Sequence, residues 1–245
     1  MSYLPVIDTY IADVKAITNE AGRCYHLITI DNPGFTGLPG QFVMIQKQDK
    51  GFAWSYPYMI YEDTTQHLKI IATQNSSLFQ SSPGEKIALW GANGKGYTLN
   101  GSETIIAEPA MMHLALPLIR SADSLNVIIY GCPTECFPEL LPAGSLFTSD
   151  LSEISRLLHA SSAPVFMALN ITNLEKIAEP SDKTLTKRIT CFVSTQIGCG
   201  IGACKACYLH SPEIHMGIPV CCNGPYLPYD LIDFSQDRKC FQIFR

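Results

Sequence analysis

The chain of 245 residues is 47% hydrophobic and only 16% charged, and its 22 acidic against 17 basic side chains leave a net charge of -5. At about 150 residues per domain this length predicts one large or two small domains with room for a short extra module, and the low charge excludes a disordered tail protein. No stretch gathers five like charges, so nothing in the sequence points to a surface that reads nucleic-acid phosphates.

The start, Met1 to Asp8, has neither the basic opening nor the apolar stretch of a secretory signal, and no apolar run reaches the roughly 18 residues that span a bilayer. The chain is therefore expected in the cytoplasm with no membrane span. In a reducing compartment its ten cysteines point to metal or redox chemistry rather than structural disulfides.

Short β-like runs come first: Ile11 to Thr18, Cys24 to Ile30, Gln41 to Gln46, Tyr56 to Tyr61, His67 to Thr73 and Lys86 to Trp90. Turn signals separate them at Asn32-Pro33-Gly34, Pro39-Gly40, Asp49-Lys50-Gly51 and Pro83-Gly84. This spacing without a long helix predicts a barrel or sandwich over residues 1–100. After the glycine-rich stretch from Gly91 to Gly96 the texture changes. A strand is predicted at Thr104 to Ala107, a helix from Ala110 to Ala122 despite Pro117, and strands at Val127 to Tyr130, Ser145 to Thr148 and Val165 to Leu169. Helices are predicted from Leu151 and after Thr172, where Asp150 with Glu153 and Thr172 with Glu175 have the capping-box spacing. Alternating strands and helices imply an α/β domain with a parallel sheet over 101–188, followed by a small cysteine- and glycine-rich module over 189–245. The fold class is thus α+β and multidomain.

In that last module Cys199, Cys204 and Cys207 are separated by four and then two residues, and Cys221 follows after thirteen more. This is the plant-type [2Fe-2S] spacing. Two sulfide-bridged irons need four thiolates from different directions, so one tight loop wraps the cluster and a distant segment closes it. Gly200 and Gly202 permit left-handed backbone and bring N–H groups close to sulfur. A structural zinc site would use two separated Cys-x2-Cys pairs, a pattern this loop does not follow. Spacing leaves open whether Cys221 or Cys222 is the fourth ligand.

Cys132 and Cys136 have no second pair nearby. Cys24, Cys191 and Cys240 read as buried thiols, and His113 and His159 as packed histidines. No nucleophile elbow, Gly-Lys-Ser phosphate loop or metalloprotease His pair is present, which excludes the common hydrolytic machineries.

Several segments resemble the electron-transfer subunit of the two-subunit, NAD-linked dihydroorotate dehydrogenase, a branch of the ferredoxin reductase superfamily. They are Leu38 to Ile45, Gly84 to Gly91 with Gly96-Tyr97, Cys199-Gly200-Ile201-Gly202-Ala203-Cys204 and Val220-Cys221-Cys222-Asn223-Gly224-Pro225. The resemblance implies an N-terminal antiparallel FAD-binding-type β-barrel, a nucleotide-binding-type α/β domain and a C-terminal [2Fe-2S] module. It selects Cys221 as fourth ligand with Cys199, Cys204 and Cys207. It also implies electron exchange with an FMN-containing dihydroorotate dehydrogenase-type catalytic subunit or another redox flavoprotein, and is compatible with a homodimer.

The chain departs from the family at two sites. The flavin motif falls on Tyr56-Pro57-Tyr58-Met59 without its arginine, and the diphosphate-approaching Gly-Thr falls on Asn75-Ser76, followed by Ser77, with anion-binding N–H groups expected at a helix start. Tyr58 or Tyr56 is a candidate to pack along the flavin ring, against ordinary cross-strand packing as the alternative. At the nicotinamide site the glycine-rich turn is replaced by Ala107-Glu108-Pro109-Ala110-Met111-Met112, and the later Cys-Gly-Pro by Ala168-Leu169-Asn170. Glu108 would repel a pyrophosphate and Pro109 lacks an N–H, so NAD is not expected as a cofactor. The competing reading is a non-enzymatic regulatory or assembly paralogue that keeps the cluster as a structural element or redox sensor without nucleotide.

Overall fold

Alternating Ile and Val side chains, stiff at χ1 and well suited to a pleated surface, build the first unit of this computed structural model together with Leu. The structure describes residues 6–31, 34, 36–48, 54–121, 125–178 and 182–237; the turn positions expected at 32–33 and 49–51, and Cys240, lie outside these. Strands β1 (Ile7–Thr18), β2 (Cys24–Asp31), β3 (Phe42–Lys47), β4 (Tyr56–Asp63), β5 (His67–Thr73) and β6 (Lys86–Asn93) close into an antiparallel barrel in the order β1-β2-β5-β4-β3-β6. Ile28, Ile30, Val43, Ile45, Leu68, Ile70 and Leu89 point inward and fill it. All six expected strands are present, most of them longer at one end.

The central unit has strands β7 (Thr104–Ala107), β8 (Asn126–Tyr130), β9 (Leu146–Thr148), β10 (Val165–Ala168) and β11 (Ile189–Phe192). Helices α1 (Met112–Ile119), α2 (Leu151–Ala160), α3 (Ile171–Ala178) and the single turn α4 (Lys183–Thr186) connect them. The helix expected from Ala110 to Ala122 begins as a 3-10 turn at Pro109 and stops at Ile119, where the Ser121 hydroxyl donates to the Leu118 carbonyl at 2.7 Å. Asp150 caps α2 as expected, accepting from the Ser152 N–H at 2.8 Å. The cap of α3 is Asn170 rather than Thr172, because the Asn170 Oδ1 accepts from the Asn173 N–H at 3.1 Å. His159, expected to be packed, instead lies exposed at the end of α2 with Asp182 3.3 Å away.

The C-terminal segment leaves β11, forms the short hairpin β12 (Tyr208–Leu209) and β13 (Ile218–Pro219), then the turn of helix α5 (Val220–Asn223). It returns as β14 (Tyr226–Pro228), antiparallel to β11, and ends in α6 (Phe234–Asp237). The sheet order is β14-β11-β10-β7-β8-β9, parallel except for β14. The segment from residue 189 therefore both begins and closes inside the central sheet, so the cysteine-rich loop hangs between two of its strands.

Aromatic rings weld the three parts. Tyr97 leaves the barrel and donates its hydroxyl to the Tyr226 carbonyl at 2.8 Å, while Tyr226 donates to the Leu114 carbonyl at 3.1 Å. Tyr97, Phe166, Phe192 and Tyr226 meet edge to face, the arrangement that aromatic quadrupoles favour. Gly94, at φ +81°, lets the Lys95 N–H reach the Gly224 carbonyl at 2.7 Å; a Cβ there would overlap that carbonyl. Gly94→Ala is thus expected to destabilise the protein by about 1–2 kcal/mol from left-handed backbone strain alone, with the overlap adding to it. A thermal or urea melt showing wild-type stability would contradict this account of the barrel–loop junction.

Candidate functional site

The cysteine-rich loop is held against the barrel from outside itself. The Trp90 indole N–H donates to the Cys199 carbonyl at 2.9 Å, and the Ser55 hydroxyl donates to the Gly198 carbonyl at 3.3 Å. Gly200 and Gly202 both have φ +76°. A Cβ at Gly200 would meet Met44 at 2.8 Å and one at Gly202 would meet the Cys222 sulfur at 2.9 Å, so both positions need glycine for space as well as for conformation.

Left-handed turns aim backbone N–H groups at the thiols. Ile201 and Cys204 donate to the Cys199 sulfur, each at 3.5 Å, and the Cys221 N–H donates to the Cys207 sulfur at 3.4 Å. The Gly202 N–H donates to the Cys221 sulfur at 3.0 Å and so ties the tight loop to the distant segment. Partial burial opposes ionisation of Cys199, yet these N–H groups and the neighbouring Cys204 thiol hold it below the ordinary thiol range. The thiol of Cys221, donating to Cys207, brings Cys207 down to about 6 against its desolvation, and the same contact pushes Cys221 up.

The thiols thus gather in two pairs, Cys199 with Cys204 and Cys207 with Cys221. Among the described residues no three His, Cys, Asp or Glu side chains surround a single point. A dinuclear iron centre takes two thiolates per iron. The donor set and its pairing fit a [2Fe-2S] cluster. The inner pair is buried, whereas Cys204 of the outer pair is exposed and Ile201 beside it is 45% exposed. Of the adjacent cysteines, Cys221 is buried and faces Cys207, while Cys222 is exposed. Cys132 and Cys136 only bond locally: Cys132 lies 3.0 Å from the Thr134 hydroxyl and Cys136 donates to the Cys132 carbonyl.

A cleft of about 810 Å³ opens between the barrel and the central sheet. Pro57, Tyr58, Met59, Asn75 and Ser76 form its barrel wall, Met111 and His113 come from the start of α1, and Phe192 to Thr195 and Ile197 lead from β11 into the cysteine loop. A smaller hollow of about 370 Å³ takes in Tyr56 and Ser77. All seven flavin-site candidates therefore line one of these two cavities. Their detail differs from expectation. Residues 74–80 form turns and not a helix start, and the Ser76 N–H is already given to the Thr73 carbonyl at 2.9 Å. Tyr58 belongs to the barrel core, with its hydroxyl 2.9 Å from the Ser77 hydroxyl and accepting from the Leu78 N–H at 3.2 Å. Cross-strand packing therefore accounts for Tyr58, and Tyr56, 45% exposed, is the open ring at the cavity rim.

Among the described residues, three buried polar atoms of the cleft have no hydrogen-bond partner: Ser76 Oγ, His113 Nδ1 and Thr195 Oγ1. Orphaned buried groups cost free energy unless a ligand satisfies them. Burial lowers the His113 pKa to about 4, so the ring is neutral near pH 7 and able to bond a polar ligand in either tautomer. A cleft of this size with a few convergent polar groups fits a flavin nucleotide.

A cation that the sequence did not single out stands at this cleft. Arg23 lines the same cleft. Strand β2 pairs with β5 as far as Tyr25 opposite Thr73, and Arg23 and Asn75, each two residues beyond that pair, both line the cleft. Reciprocal bonds between Asn19 and Arg23 fix this turn: the Arg23 N–H donates to Asn19 Oδ1 at 2.8 Å and the Asn19 N–H to the Arg23 carbonyl at 3.0 Å. The guanidinium is 44% exposed and 3.8 Å from the Glu135 carboxylate, a surface pair weak enough for a diphosphate to displace. Only the folded chain shows it, because Arg23 lies more than thirty residues before Tyr56 in sequence.

Residues 194–233 match the model of the iron-sulfur cluster binding domain of dihydroorotate dehydrogenase B. Two curated proteins, named as electron transfer subunits of dihydroorotate dehydrogenase B (NAD(+)) from Thermotoga petrophila and Thermotoga maritima, are each 26% identical over 202 residues, covering 80% of this chain and 86% of theirs. Among solved structures, the NADH-dependent reduced ferredoxin-NADP oxidoreductase studied for flavin-based electron bifurcation aligns with TM-score 0.73 at 12% identity, over 100% of this chain and 96% of that one. Ferredoxin NADP+ reductase from Neisseria gonorrhoeae, with bound FAD and NADP, aligns with TM-score 0.53 at 14% identity over 76% and 97%. The chain thus resembles the dihydroorotate dehydrogenase B electron-transfer subunit along most of its length and has a ferredoxin reductase-like fold.

Arg23→Gln is expected to weaken FAD binding by about tenfold, the scale of one lost charge-assisted contact, while riboflavin, which lacks phosphate, binds as before. Fluorescence titration of the flavin-free protein measures both. Equal loss for both flavins would mean that Arg23 acts on the ring or on the fold and not on the diphosphate.

Proposed function

We propose that this chain is an electron-transfer subunit that holds FAD in the cleft and a [2Fe-2S] cluster on Cys199, Cys204, Cys207 and Cys221, and that it exchanges electrons with a partner flavoprotein. The names of its relatives, electron transfer subunits of dihydroorotate dehydrogenase B, favour a dihydroorotate dehydrogenase-type catalytic subunit as that partner, for which the sequence resemblance implies FMN. One observation carries the reading. The segment Val193 to Ile197 lines the cleft and runs directly into Cys199, so a single stretch of backbone forms the wall of both sites.

Bound together, flavin and cluster supply two-electron and one-electron redox chemistry, which is the cofactors' own. The protein supplies place and potential. Cys207 and Cys221 are buried, and the exposed Cys204 with Ile201 marks the face open to a partner. N–H donors to the sulfurs of Cys199, Cys207 and Cys221 stabilise added negative charge and so favour the reduced state. Arg23 neutralises phosphate at the outer end of the cleft, and Ser76, His113 and Thr195 offer their unpartnered atoms to its polar edges. No described helix is long and apolar enough to cross a membrane.

Anaerobic purification followed by absorption spectroscopy with iron, sulfide and flavin analysis tests the reading. Iron and acid-labile sulfide in equal amounts with releasable FAD are expected. Cluster absorption without flavin would favour the redox-sensor paralogue, and a colourless protein without labile sulfide would defeat both. Cys204→Ser is expected to abolish the cluster and destabilise the C-terminal segment, whereas Cys222→Ser retains its full iron content. Equal iron loss in the two variants would overturn the ligand set.

A further inference from the structure

In the central sheet the chain runs outward from β7 one way, through β8 and β9, and the other way through β10 and β11. The switch point of this doubly wound arrangement lies between β7 and β10, whose last residues, Ala107 and Ala168, stand opposite each other. Ligands of open α/β sheets bind in the crevice beyond the strand ends at such a point, with phosphate on a helix N-terminus.

That crevice is bridged by the protein itself. Glu108 follows Ala107, and its N–H donates to the Ala168 carbonyl at 3.1 Å. Its buried carboxylate accepts from the Asn170 N–H at 3.0 Å, from Asn170 Nδ2 at 2.6 Å and from Asn173 Nδ2 at 3.0 Å. Asn170 caps α3 at the same time. A carboxylate therefore stands at the α3 N-terminus with amide donors turned toward it, as they would turn toward a phosphate. On the other side Pro109 opens the next turn without an N–H to offer. The two segments joined here, at Glu108 and Asn170, are distant in sequence, and three hydrogen bonds to one buried carboxylate make their union expensive to open.

We propose that Glu108 is a built-in anion filling the phosphate site of the central domain, and that this chain receives its electrons from a one-electron redox protein rather than as hydride from a pyridine dinucleotide. The inference rests on the electron-transfer reading above. In balance, each electron gained by this chain oxidises the iron–sulfur or flavin centre of the donor protein by one electron, and no hydride changes hands. The face at the exposed Cys204, which the flavoprotein partner also uses in turn, is the route by which such a carrier approaches; Trp54, 81% exposed and next to the Ser55 that bonds this loop, adds apolar surface there.

The test uses the cofactor-loaded protein without oxygen. Reduced methyl viologen, a one-electron donor, is expected to bleach the chromophores, while NADH or NADPH at about 1 mM, the upper end of ordinary KM values, reduces them at least a hundredfold more slowly. In saturation-transfer NMR, ADP-ribose is expected to give no signal with wild type and a clear signal with Glu108→Gly, whose folding is checked by a thermal melt. NADH bleaching within about tenfold of the viologen rate, or an ADP-ribose signal from wild type equal to that of the variant, overturns the inference and leaves the flavin–cluster reading standing. A protein without chromophores overturns that reading instead, and the ADP-ribose experiment still decides the role of Glu108.

Discussion

Thiolates repel one another, and four of them approach two irons only where the surrounding backbone absorbs their charge. In this protein that demand is met by N–H groups, one of which, on Gly202, reaches across to Cys221 and closes the loop on the segment nineteen residues further on. The left-handed conformations at Gly200 and Gly202 exist to aim those donors, and the lack of side chains there lets the loop lie against Met44 and Cys222. Trp90 and Ser55 then fix the loop to the barrel. If the loop were free to swing, its sulfurs would lose the donors and the neighbouring cleft would lose its wall.

From this follows the unusual threading of the C-terminal part. The loop springs from β11 and its closing segment returns as β14 on the same strand, so both ends of the cysteine set are anchored in one sheet. The aromatic contact of Tyr97, Phe166, Phe192 and Tyr226 binds that sheet to the barrel exit, with burial pushing the Tyr97 hydroxyl up to about 12 and keeping it a neutral donor. A rigid junction holds the cleft and the thiol pairs at one fixed separation, which electron exchange between two bound centres needs.

Charge is placed differently at the two crevices. Arg23 sets a cation at the barrel cleft, whereas in the central domain the Glu108 carboxylate already occupies the amide donors at the start of α3.

The six barrel strands, the alternation of strand and helix, and the cysteine spacing were legible in the sequence because each depends on local pattern: period-two burial, capping residues, and glycines where backbone must turn left-handed. What the letters Glu108 and Asn170 showed singly was a missing motif; that they bond to each other depends on two parallel strands lying side by side. Arg23 was invisible for the same reason, since it reaches the cleft only through the pairing of β2 with β5. Tyr56 and Tyr58, two residues apart on β4, share one face of the strand, and only the closure of the barrel decides that Tyr58 is buried while Tyr56, at the strand's first position, is open. Sequence by itself determined which residues carry sulfur, turn the chain and start its elements, because those preferences act over a few neighbours. Only the tertiary structure decided which thiols pair, which charge meets which site and which crevice is closed, because those energies arise between groups that the chain brings together from afar.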